Sequence, residues 1–186
     1  MNTSSSNATI VVYTGEGKGK TSASLGLLVR ALGAGKSVAF LQFIKHWQVS
    51  EHQFIAEIEK TYGDRLLFYK GGKGFYNAGD MSAKEITEKQ HKQAAKDTLT
   101  KAEEAIQSSY DVVICDEINN AVHDGLLPEG ALADLISTAR QQGVSLCLTG
   151  RNFPEKLVEH ADIVTEMAKL KHHYDDGVLA KIGIDY

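Results

Sequence analysis

The chain has 186 residues, a net charge of −4 and two cysteines, which suits one domain with a core large enough to stand without disulfide or metal staples. Charges of both signs are interspersed, which argues against a general nucleic-acid binder. No apolar run approaches membrane-spanning length, and residues 1–7 lack the basic and apolar regions of a secretory signal, so no membrane and a cytoplasmic location are expected.

Residues 1–7 are polar and read as a disordered tail, leaving residues 8–186 as a single domain. Residues 8–14 form a short β-branched apolar run, the first strand. It runs into Thr14-Gly15-Glu16-Gly17-Lys18-Gly19-Lys20-Thr21, which departs from the standard phosphate-binding P-loop at one position. Gly19-Lys20-Thr21 supplies the second half of the pattern, whereas Thr14 stands where the first glycine belongs. The loop is thus one residue short, with a second lysine, Lys18, inside it. Gly15, Gly17 and Gly19 let the backbone turn successive N–H groups inward to make an anion nest. A helix opening near Lys20 adds the partial positive charge of its N-terminus. Lys20 neutralises phosphate charge, Thr21 offers a hydroxyl to a divalent metal, and Glu16 and Ser22 flank them among the ATP-binding candidates. Ala23, Leu25, Leu27, Leu28, Ala31 and Leu32 give that helix its apolar positions.

Strands and helices then alternate. Residues 37–44 read as the second strand, 51–62 as a helix and 65–69 as the third strand, followed by the glycine-rich 71–74. Ser82 and Glu85 have the spacing of a capping box, predicting a long polar helix to about Ser108 with a weak apolar stripe. Residues 112–115, 144–149 and 163–167 are further strands, 129–142 a helix and 154–160 a shorter one. Residues 178–184 predict a last strand or hairpin. Near-continuous apolar runs between helices indicate a mainly parallel sheet covered on both faces, a three-layer α/β/α P-loop fold. Such sheets bind ligands beyond the carboxyl ends of their strands, and every glycine-rich or charged motif here follows a strand end. Cys115 and Cys147, within apolar runs, read as reduced core residues.

The strand ending in Asp116-Glu117 has the form of a Walker B element, whose carboxylate holds Mg²⁺ opposite the loop hydroxyl. Thr21, Asp116 and Glu117 are therefore the metal candidates. Arg151, after the strand ending at Thr149, is placed to reach triphosphate oxygens or a substrate carboxylate; a surface arginine in a turn stays an open alternative. The adjacent His172 and His173 lack the further ligands an ion needs and read as a polar loop.

Together, the short loop from Tyr13 to Thr21, Leu41-Gln42-Phe43-Ile44-Lys45, Asp116-Glu117, Thr149-Gly150-Arg151, Lys171-His172-His173-Tyr174-Asp175 and the ending Gly183-Ile184-Asp185-Tyr186 resemble the RecA-like ATP:corrinoid adenosyltransferase family. The resemblance covers nearly the whole chain. It implies a reaction in which a corrinoid Co(I), of cobalamin or a precursor, attacks the ribose C5′ of ATP and inorganic triphosphate leaves. It also implies ATP bound in the reverse sense, for which a shortened nest with an added Lys18 is a suitable device. The protein's tasks are then alignment of the reacting atoms and stabilisation of the departing charge; Lys20, Thr21 and Glu117 are the catalytic candidates, with no general acid or base. A reduced flavin or flavoprotein donor and a homodimer are further implied.

On the corrinoid side the resemblance points to Phe75, Tyr76 and Asn77, aromatic residues of the family here serving to displace the lower axial ligand of Co(II). Asn77 departs from the pattern, which has tryptophan there. Some members carry an N-terminal helical extension, whereas only residues 1–7 precede the first strand here. Two other functions use the same loop. A small-molecule kinase or ATPase would release ADP, with Glu117 aligning the nucleophile, and a nucleotide-gated binding module would release nothing.

Overall fold

A computed structural model of the chain describes residues 8–74, 76 and 86–186. Six strands form one parallel sheet in the order β3-β2-β4-β5-β1-β6. They are β1 (Ile10–Thr14), β2 (Val38–Gln42), β3 (Leu66–Lys70), β4 (Val112–Asp116), β5 (Ser145–Thr149) and β6 (Ile163–Glu166). The helices are α1 (Lys20–Gly33), α2 (Ser50–Tyr62), α3 (Glu88–Gln107), α4 (Ile118–His123) and α5 (Ala131–Gln142).

Side chains alternate across each strand, and that alternation builds two cores. Ala39, Leu41, Val113, Leu146 and Leu148 point to the face covered by α3, α4 and α5, where Ala102, Ile106, Ile118, Leu132 and Leu135 meet them. Val38, Phe40, Val112, Ile114 and Cys147 point to the other face, against Leu28 and Leu32 of α1 and Ile55 of α2. The expected three-layer arrangement is observed. Cys115 and Cys147 lie on opposite faces, both free and buried; burial, the larger effect, and the nearby Asp116 charge raise both thiol pKa values.

Two expectations are corrected, and one element is added. The long polar helix begins at Glu88, where Thr87 and Gln90 make the capping box: Gln90 N–H donates to Thr87 Oγ1 at 3.3 Å and Thr87 N–H to Gln90 Oε1 at 2.8 Å. The Ser82 and Glu85 pair lies outside the described residues. The stripe of α3 looked weak because it is built largely of small residues, with Ala94, Ala95, Ala102 and Ala105 all buried, which lets the helix lie close on the sheet. The short α4 was not foreseen. Finally, residues 178–184 form no strand. Gly183 turns with φ 75°, and the tail bonds to itself, Asp185 N–H to Lys181 O at 2.7 Å and Gly183 N–H to Tyr186 O at 2.8 Å. Those groups are then not offered to a sheet edge.

Candidate functional site

The loop after β1 is shaped by close backbone approach. Gly15 and Gly19 take φ of 95° and 112°, conformations that disfavour a side chain. A Cβ added at Gly15 or Gly17 would come within 2.6 Å of Met167 O, beyond the end of β6. Gly17 N–H donates to that same carbonyl at 2.6 Å. The glycines thus serve packing of the loop against the segment after β6 as well as the turn itself. Lys20, first residue of α1, folds its ammonium back onto the loop, donating to Gly15 O at 2.6 Å and Gly17 O at 2.8 Å. Burial, then the Arg151 charge, lower its pKa. Arg151 pairs with Glu16 at 3.2 Å, both exposed, and Ser22 is exposed beside Thr21.

Lys18 is engaged from the far end of the chain. Its ammonium makes an ion pair with the Asp185 carboxylate, which Lys18 and the Lys181 N–H hold at a pKa of about 2. His173 Nε2 lies 3.4 Å from the same carboxylate, and Ser50 Oγ donates to Tyr186 O at 2.8 Å. The terminal Gly183–Tyr186 segment, set apart by its similarity to the family, therefore fastens the loop lysine to the start of α2.

Parallel register brings three strand ends to the same rim: Gln42 pairs with Asp116 between β2 and β4, and Cys115 with Leu148 between β4 and β5. Asp116 is fully buried and accepts from three directions. Thr21 Oγ1 lies 3.1 and 3.2 Å from its two oxygens, Thr149 Oγ1 donates at 2.7 Å and Gln42 Nε2 at 3.1 Å. The predicted meeting of Thr21 with the acidic strand end is thus observed. Gln42 is itself held, since His52 Nε2 lies 2.6 Å from its Oε1 and Val49 N–H donates to His52 Nδ1 at 3.4 Å. With Nδ1 accepting, the His52 proton sits on Nε2, so Gln42 presents its oxygen to His52 and its amide N–H to Asp116. Burial lowers the His52 pKa.

Glu117 N–H donates to Thr149 Oγ1 at 2.9 Å. Its backbone is left-handed, φ 64°, a strained state for a non-glycine residue and one that gathers at functional sites. Its Oε2 is buried without a hydrogen-bond partner among the described residues. Burial, then the Asp116 charge, push its pKa up to about 7 from 4.5. The native state therefore keeps a proton that the unfolded chain releases, and stability falls as pH rises through that window. Nucleotide-free protein is expected to unfold at lower urea concentration at about pH 8 than at about pH 5.5, and Glu117→Gln to flatten the difference. An undiminished slope in that variant would remove Glu117 as its source.

Lys45, past the end of β2, reaches into the same cluster: its Nζ lies 3.0 Å from Glu51 Oε1, 3.3 Å from Thr21 Oγ1 and 3.6 Å from Asp116 Oδ2. Burial pulls its pKa down, but Asp116, Glu117 and Glu51 outweigh it and raise it. Across the rim, Arg151 N–H donates to Asn120 Oδ1 at 2.6 Å, and Gly150, φ 130°, has no room for a Cβ beside Asn120. Thr21, Asp116 and the unpartnered Glu117 Oε2 are hard oxygen donors, the type that magnesium takes. No group of three or more His, Cys, Asp or Glu side chains forms a metal cage among the described residues, so an ion here would draw further oxygens from phosphate and water.

Of the corrinoid candidates, Phe75 and Asn77 lie outside the described residues. Tyr76 packs its ring on His91 of α3, centroids 5.4 Å apart, and on the core at that side of the sheet. Gln42, His52, Glu51 and Asn120 carried no isolated motif; Gln42 belonged to the Leu41–Lys45 run, but its partners come from other elements.

Residues 6–186 match the family model described as ATP:corrinoid adenosyltransferase BtuR/CobO/CobP. Among curated relatives, a corrinoid adenosyltransferase of Escherichia coli K12 is 36% identical over 180 residues, covering 95% of this chain and 85% of the relative. One of Sinorhizobium sp. is 33% identical over 178 residues, 95% of this chain and 79% of the relative. The corrinoid adenosyltransferase CobA of Salmonella typhimurium is 33% identical over 185 residues, 95% and 85% respectively. With a match that spans nearly its whole length, this chain belongs to the ATP:corrinoid adenosyltransferase family.

Proposed function

We propose that this protein transfers the 5′-deoxyadenosyl group of ATP to the Co(I) of a corrinoid, cobalamin or a precursor, and releases inorganic triphosphate. The family match running from residue 6 to residue 186 carries this reading, and the arrangement of the rim supports it. The cobalt electron pair forms the Co–C5′ bond as the C5′–O bond breaks, and the bonding pair leaves with triphosphate. No proton need move at the reacting carbon, so the site requires alignment and charge stabilisation.

Lys20 leaves the Gly15 and Gly17 carbonyls for the triphosphate, and the loop N–H groups other than that of Gly17, which Met167 O holds, line the same anion. Lys18 and Arg151 exchange their partners Asp185 and Glu16 for phosphate oxygens. Thr21, Asp116 and Glu117 would hold Mg²⁺, which when bound supplies positive charge to the departing triphosphate. Gln42 Nε2 and Thr149 Oγ1, which donate to Asp116, hold its carboxylate in orientation.

Phe75, Tyr76 and Asn77 remain the corrinoid candidates that the family resemblance gives, and a reduced flavin or flavoprotein supplies the electron that makes Co(I). The enzyme works in the cytoplasm as a homodimer; the exposed Leu170, Leu179, Ile182 and Ile184 after β6 support an apolar partner surface. MgATP and chemically reduced cobalamin, mixed anaerobically with the protein, are expected to give the visible spectrum of a cobalt–carbon bond. Persistence of the Co(I) spectrum would overturn the assignment.

A further inference from the structure

Lys45 belongs to a sequence motif that the transfer chemistry leaves without a task, yet its side chain sits at the centre of the buried charge cluster. Lys45 and Glu51 are each only 14% exposed, and Asp116 not at all. The position is set by the fold. Gln42 at the end of β2 lies in register with Asp116, Phe43 N–H donates to Asp116 O at 3.0 Å, and the chain then carries Lys45 over the strand tip. Glu51, in the first turn of α2, meets it from the other side. The ammonium therefore draws on Thr21 Oγ1 and Asp116 Oδ2, two of the oxygens assigned above to the divalent ion. A monovalent and a divalent cation at such separations repel strongly in a site shielded from water.

We infer that Lys45 is a resident counter-ion of this site: without metal its ammonium neutralises Asp116 and disfavours divalent binding, and when the metal enters with the nucleotide Lys45 withdraws onto Glu51. The inference rests on the assignment of Thr21 and Asp116 as metal oxygens. It explains why a lysine is tolerated beside a carboxylate reserved for another cation. Buried carboxylates left with no counter-charge are strongly unfavourable, and here the apo and loaded states each provide one. It also makes Glu51 a positioning residue, since it receives the displaced ammonium.

The test uses Mn²⁺ alone, with free ion measured by electron paramagnetic resonance on intact protein without nucleotide. Lys45→Met is expected to bind Mn²⁺ at least about tenfold more tightly than the unmodified protein, because the competing charge is gone. Lys45→Arg, which keeps the charge, is expected to stay near the unmodified value, and Lys45→Gln replaces Lys45→Met if the latter does not fold. In the unmodified protein, Mn²⁺ uptake with ATP should be lost on Asp116→Asn. Unchanged or weaker Mn²⁺ binding by the neutral variants, with Asp116-dependent uptake intact, would overturn the counter-ion role alone. Uptake with ATP that ignores Asp116→Asn would overturn the metal assignment and the inference together.

Discussion

Lys20→Ala is expected to weaken ATP binding by roughly a hundredfold or more and to reduce adenosyl transfer at least as far, since charge-assisted contacts to phosphate in a shielded site are worth several kcal/mol. The side chain now donates to Gly15 O and Gly17 O, so it is already at the loop and needs only to exchange carbonyl oxygens for phosphate. The same two bonds predict a small structural effect. Their loss should lower the thermal midpoint by only a few degrees, about 2–4 °C per kcal/mol for a chain this size. Calorimetric titration with MgATP alongside thermal unfolding separates the effects. An unchanged dissociation constant would remove Lys20 from the phosphate site. Lys20→Arg should not restore activity, because its planar fork does not fit a position shaped around a point charge.

Asp116→Asn should reduce transfer by about a hundredfold to a thousandfold, the range seen when one preorganised charge is removed from an active site. Its diagnostic is the Mg²⁺ dependence of ATP binding. The variant lacks the anion that a metal needs, so titrations with Mg²⁺ and with chelator should converge, whereas the unmodified protein should prefer MgATP. The NH2 of the new side chain replaces either Oδ2, which accepts from Gln42 Nε2 at 3.1 Å, or Oδ1, which accepts from Thr149 Oγ1 at 2.7 Å. Either way a donor loses its acceptor in a buried place, and a loss of about 1–3 kcal/mol of stability is expected. Retention of the Mg²⁺ preference would place the metal elsewhere.

The parts of this protein that could be read from its residues are those governed by short-range rules. The inner strands β2, β4 and β5 read as apolar runs because a strand covered on both faces has no polar side to show, whereas β6 at the sheet edge is exposed along its length. The meeting of Thr21 and Asp116 is legible because motifs at strand ends converge on one rim of a parallel sheet, and the structure places them in hydrogen-bond contact. The polar chain from Val49 through His52 and Gln42 to Asp116 was not legible. Gln42 is an amide inside an apolar strand, and His52 looks like an ordinary residue on a polar helix; only their register against β4 gives them a purpose. Lys45 belongs to the Leu41–Lys45 run that carries the family resemblance, but nothing local says that a lysine after β2 reaches Thr21. The terminal segment departs from its sequence pattern for a related reason. Its alternating apolar residues suggest a strand, while Gly183 and Asp185 use the tail's backbone groups for a turn around Lys18.

The most direct test of adenosyl transfer is the phosphorus NMR spectrum of the products after complete turnover of MgATP with reduced cobalamin. The account predicts one inorganic triphosphate for each cobalt–carbon bond formed, with the three phosphates still joined. ADP and orthophosphate in proportion to turnover would contradict it, and would return the glycine loop and Asp116 to phosphoryl transfer.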